Sequence, residues 1–181
     1  MSFKILSTDG HEIFVSQKAT VCEAVQEALA RGAFFKTKQK GLIPDLSNLN
    51  LSTLDLCDAN FDHANLEGSI LEWAFCQNVS LVEANLRSTR WVEADLSGGN
   101  LSEADLTNAD FSGADLSGIR LIKADLTSTR FAGADLTGAD LTGATLTRAD
   151  FSRAILTGAI FADNKISAAN LLGALGINFQ G

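Results

Sequence analysis

From Leu46 to Leu171 a central apolar residue recurs at every fifth position, with no insertion or deletion, over 26 consecutive units. Leu or Phe occupies 23 of these positions, and Cys76, Trp91 and Ile166 occupy the others. Ala most often stands two residues before each centre, and Asp or Asn immediately before it, as in Ala114-Asp115-Leu116-Ser117-Gly118. A period of five matches neither the 3.6 of a helix nor the 2 of a strand. The small residue and the centre must both point inward. The residues between and after them then point out, and the chain turns a corner after each unit.

At a spacing of 20 the aromatic centres fall into register. One column runs Leu51, Leu71, Trp91, Phe111, Phe131, Phe151, Leu171. Rings one coil apart are placed to stack. Trp91 is large for its slot, and Gly99, where Ala is usual, is read as making room for it.

This pattern resembles the pentapeptide-repeat family over about three quarters of the chain, and so regular a repeat is a specific signature. The resemblance implies an all-β fold, a right-handed quadrilateral β-helix in which four units close one coil. Twenty-six units then make six and a half coils, a rod about 31 Å long at the spacing of paired strands.

Two segments are expected: residues 1–41 as a small hairpin-plus-helix cap, and residues 42–181 as the β-helix. Phe3 to Leu6 and Ile13 to Val15 flank Asp9-Gly10, a hairpin turn signal. Thr20-Val21-Cys22-Glu23 spells a capping box. Val21, Ala24, Val25, Ala28 and Leu29 share one helical face, with Gly32 as a stop. Such a helix would cover the apolar end of the first coil, because repeat stacks need caps. Nothing comparable follows the last coil. Leu171, Leu172, Leu175, Ile177 and Phe179 would leave an apolar end with unpaired strand edges. A symmetric homodimer through this C-terminal coil is the expected remedy, and family members that dimerise use the same end.

The outer surface is where function must lie. Asp95, Asp115 and Asp135 line one wall beside a column of glycines, and Ile70, Trp73 and Phe75 form an outward apolar cluster of the kind that marks contacts or is covered by another segment. Arg90, Asp110, Arg130 and Asp150 alternate in sign down another column and read as a ladder of cross-coil pairs, each contributing well under about 1 kcal/mol. The short polar residue before each centre is suited to bond the turn backbone.

The net charge of −8 disfavours direct nucleic-acid binding, which needs cationic contacts to phosphates. No apolar run is long enough to span a membrane. The start Met1-Ser2-Phe3-Lys4 lacks a signal-peptide core, and a cytoplasmic protein is expected. Cys22, Cys57 and Cys76 match no zinc spacing and no disulfide framework. His11 and His63 belong to no triad or metal set, and no phosphate loop or nucleophile elbow is present. No catalytic residue, cofactor or metal is expected.

The expected function is a non-catalytic scaffold that presents flat acidic walls to a protein partner. The resemblance implies an alternative. Some bacterial members imitate duplex DNA, bind type II topoisomerases such as DNA gyrase, and confer resistance to quinolones or peptide toxins. The chain departs from the quinolone-resistance group, because its units carry no projecting loop and no C-terminal helix follows them.

Overall fold

The computed structural model describes residues 3–7, 12–16, 25, 27, 44–164 and 169–176. Residues 44–164 wind as a coil of four five-residue sides, and each coil stacks parallel on the next with a register of 20, from Asp45 beside Asn65 through to Asp140 beside Ile160. Adjacent coils are stitched by backbone bonds such as Leu66 N to Asn85 O at 2.9 Å and Asn85 N to Ala64 O at 2.9 Å.

Each corner is a β-turn. Ala59 N donates to Leu56 O at 3.1 Å, and the residue two past the centre takes a positive φ in every described unit, glycine or not. A left-handed residue at the third position of a turn is the type II pattern. The Asp or Asn before the centre secures the same corner. Asp115 Oδ1 accepts from Ser117 N at 2.9 Å and Asp135 Oδ1 from Thr137 N at 2.8 Å. All sixteen described Asp and Asn residues at this position accept from the amide two residues on. The carboxylates are therefore turn elements first, and their outward charge comes with that role.

Every centre from Leu46 to Leu156 is buried, so the inward pairs make one continuous core. In the aromatic column Trp91, Phe111, Phe131 and Phe151 stack with centroids 5.7, 5.5 and 4.9 Å apart and planes within 14° of parallel. The expected link between Gly99 and Trp91 is not what the structure shows. A Cβ on Gly99 would meet Leu96 O at 3.0 Å, Val79 O at 3.3 Å and Val79 Cγ1 at 3.4 Å. Gly99 sits one coil from Val79 and one from Ile119, both buried where Ala is usual. It relieves crowding within its own inward column. Trp91 is accommodated by a neighbour on its own side: its Nε1 donates to Thr89 Oγ1.

At the N-terminal end β1 (Phe3–Ser7) pairs antiparallel with β2 (Glu12–Ser16), as a hairpin. β1 also pairs antiparallel with β3 (Pro44–Asp45), the first strand of the coil stack. The hairpin thus continues that wall along the stacking direction, on the edge of Asp45 opposite Asn65. Of the expected capping helix, Val25 and Glu27 are described; both have helical backbone, and Val25 is buried in the core. Its other residues lie outside the described set.

Toward the C-terminus the core thins. Phe161, Ala169, Leu171 and Ala174 are only partly buried, while Leu172 is 77% and Leu175 61% exposed. Ile177 and Phe179 lie outside the described residues.

Candidate interaction surface

The register of 20 sorts the outward residues into four walls. The first carries Asp105 and Asp125, the second Asp110 and Asp150, the third Asp95, Asp115 and Asp135, and the fourth Asp140. On the first, Arg87 Nη1 bonds Asp105 Oδ2 at 2.9 Å. Partial burial raises the Asp105 pKa, but bonds from Thr107 and Arg87 outweigh it and hold the carboxyl below its usual range. On the second, the alternating column is only partly a ladder. Arg130 pairs with Asp110 at 3.4 Å, whereas Arg90 pairs with Glu72. Glu72 stands beside Ile70, one coil below Arg90, and Arg90 turns to it in place of Asp110. Asp150 is also held below its usual range: burial raises it, but Ser152, Asn170 and Arg130 together prevail.

The third wall differs in kind. Its outward columns hold Asp55, Asp58, Asp95, Asp115 and Asp135 and no Lys or Arg among the described residues. Each other wall holds at least two cations: Arg87 and Arg148 on the first, Arg90 and Arg130 on the second, Arg120 and Lys123 on the fourth. None of the five carboxylates joins an ion pair among the described residues. Asp95, Asp115 and Asp135 are nearest neighbours in one column, as the sequence implies. Beside them Gly118 and Gly138 leave the corner open, for a Cβ there would meet nothing within 4 Å.

Phe75 continues the same column next to Asp95 and is 54% exposed. Trp73, on the corner beside it, is 58% exposed. The structure puts Phe75 on the acidic wall and Trp73 on the corner between the second and third walls, in a column that also holds Glu93 and Arg153. Ile70 is separated from them: it faces the second wall beside Arg90 and is half-buried. At the far end of the third wall Ile155 and Leu175 are adjacent and exposed. That pair was already legible at a spacing of 20, yet taken singly each residue reads only as part of the C-terminal end.

Two thiols lie near this wall. Cys57 Sγ donates to Gln77 Oε1 at 2.9 Å, and partial burial with Asp55 beside it pushes its pKa up. Cys76 is buried at a centre, and burial pushes its pKa up strongly. Both are protonated at neutral pH and unsuited to nucleophilic work. Among the described residues no group of three or more His, Cys, Asp and Glu is placed to hold a metal ion, and no helix is long and apolar enough to cross a membrane.

No curated protein sequence matches the chain. Among solved structures it is similar to a pentapeptide-repeat protein of the Arabidopsis thaliana thylakoid lumen, with 28% identity and a TM-score of 0.53 over 55% of this chain and 69% of that one. It is also similar to the pentapeptide-repeat protein Rfr23 of the cyanobacterium Cyanothece 51142, at 22% identity and a TM-score of 0.40 over 85% of this chain and all of that one. A third is QnrB1, a plasmid-mediated fluoroquinolone resistance protein, at 23% identity and a TM-score of 0.39 over 75% of this chain and 79% of that one. The pentapeptide-repeats family model matches residues 44–72, 80–118, 124–163 and 144–174, in eight copies. With its five-residue units, inward pairs and coils of 20, the chain belongs to the pentapeptide-repeat family and folds as a right-handed quadrilateral β-helix.

Proposed function

We propose that this protein is a non-catalytic interaction protein whose third wall receives a protein partner. One observation carries the reading: among the described residues this wall alone has carboxylates and no cation, and two exposed aromatic side chains border it. A single-sign face steers a partner of opposite charge, and a rigid stack binds with little ordering cost. Mimicry of duplex DNA toward a topoisomerase such as gyrase is the weaker alternative. One strand of duplex DNA carries a charge per about 3.4 Å of axis, whereas the single column of carboxylates gives one per about 4.8 Å. Two copies joined through Leu171, Leu172 and Leu175 would lengthen the surface and cover the exposed Leu172 and Leu175.

The test is affinity capture from the source organism with wild type and with Asp95, Asp115 and Asp135 all changed to Asn. A specific protein retained by wild type and released by the triple variant is expected; equal retention overturns the reading. A gyrase supercoiling assay run alongside separates the alternative, and light scattering checks the dimer.

A further inference from the structure

Trp73 and Phe75 put two large aromatic rings on the surface of one corner. Trp73 stands at φ +59; the residue two past the centre takes a positive φ in every described unit, and Trp73 is the largest side chain among the sixteen non-Gly residues there. Phe75 stands where the sixteen described Asp and Asn residues bond the turn, and like Ile70, Ile155 and Ile160 it replaces that bond with an apolar side chain. Burial accounts for neither ring, because both are more than half exposed. Neither local structure nor the core explains these two residues together, and local rules are most often broken where function requires it.

Phe75, Asp95, Asp115 and Asp135 follow one another at single-coil steps, about 4.8 Å each. The occupant of this row is constrained by that spacing. Side chains on one face of an α-helix recur each turn, about 5.4 Å, so the two steps between Asp95 and Asp135 accumulate a mismatch near 1.2 Å, within the reach of Arg or Lys. Same-face residues of an extended strand recur at about 6.7 Å, and two steps are already out by nearly 4 Å. The wall's own backbone edges are paired coil to coil, so a strand gains no ladder there. Gly118 and Gly138 put no side chain in the way of a helix laid along the row.

We infer that the third wall is a seat for an amphipathic α-helix of a partner protein, with a basic stripe over Asp95, Asp115 and Asp135 and a large apolar residue against Trp73 and Phe75. The inference rests on the interaction reading above and names its partner class. Roughly ten residues of helix span the row from Phe75 to Asp135.

The test uses a fluorescein-labelled alanine-based peptide of about four turns, with arginines on one stripe and Leu-Phe at one end. A shuffled peptide of the same composition, with arginines all round the helix, is the control. Fluorescence anisotropy should show the striped peptide binding at least about tenfold more tightly than the shuffled one, with affinity falling as salt rises. The double variant Trp73→Gly with Phe75→Asn should lose about tenfold in affinity while its melting temperature stays level or rises. Equal binding of the two peptides overturns the helix inference, and so does a double variant that melts markedly lower, because the aromatics would then be structural. If neither peptide binds while the triple Asn variant still releases the captured protein, the helix inference falls and the interaction reading stands.

Discussion

Trp91 and Thr89 form a buried donor–acceptor pair: the indole Nε1 donates to Thr89 Oγ1 at 2.9 Å, and the Thr89 hydroxyl donates to Leu86 O at 2.6 Å. Ser69 and Thr129 share the same inward column and bond Leu46 O and Leu106 O. Hydroxyls are therefore tolerated inside because a carbonyl of the coil accepts each proton. Thr89→Val keeps the shape and strands the indole N–H, so it should destabilise by about 1–3 kcal/mol. The same change made in Trp91→Phe should cost clearly less. Chemical denaturation of the four proteins of this cycle checks the coupling; additive effects would refute it.

Gly99 and Val79 predict a second coupling. Gly99→Ala alone should destabilise by about 1–3 kcal/mol through overpacking, and Val79→Ala should relieve much of that. If the loss persists in full with Val79→Ala, the crowding comes from the carbonyls Leu96 O and Val79 O and not from the Val79 side chain.

The turn bonds separate charge from structure on the third wall. Asp115→Asn retains an acceptor for Ser117 N and should leave the melting temperature nearly unchanged. Asp115→Ala removes it and should cost about 0.5–1.5 kcal/mol. Thermal melts distinguish the two, and equal losses would show that the carboxylate's charge matters to folding.

Asp105 and Asp150 predict an acid limb of stability. Their folded-state pKa values lie below the usual 3.8, so the unfolded chain takes up protons first as pH falls. Their contribution is fully present above the unfolded value and is lost as pH drops through the folded one. Asp105→Asn with Asp150→Asn should therefore lower the melting temperature near neutrality and approach wild type as pH falls below 3.8 and through the folded-state values. A difference that does not change with pH would refute this.

Arg87 should support the lowered value at Asp105 through their 2.9 Å bond. Arg87→Gln is expected to raise the Asp105 pKa toward the usual range, measured by carboxyl NMR titration, with Asp150 unaffected.

Much of this protein is legible in its sequence because every coil has the same length. The centres from Leu46, the small inward residues and the turn-bonding Asp and Asn follow from short-range sterics and hydrogen bonding, and the absence of any insertion carries the register of 20 from one end to the other. The column of Asp95, Asp115 and Asp135 could thus be named before any coordinates. Contacts between side chains of unequal size were decided only by the tertiary structure. Gly99 answers to the Leu96 carbonyl and to Val79, and not to Trp91, because packing is judged among the nearest atoms of the coil. Arg90 selects Glu72 over Asp110 because long flexible side chains choose among several acids within reach. β1 joins the stack at Pro44–Asp45, a pairing no periodicity announces because the hairpin lies outside the repeat. The exposure of Trp73 and Phe75 was settled last of all, since whether another part of the chain covers a surface residue depends on the whole fold and not on its own five-residue unit.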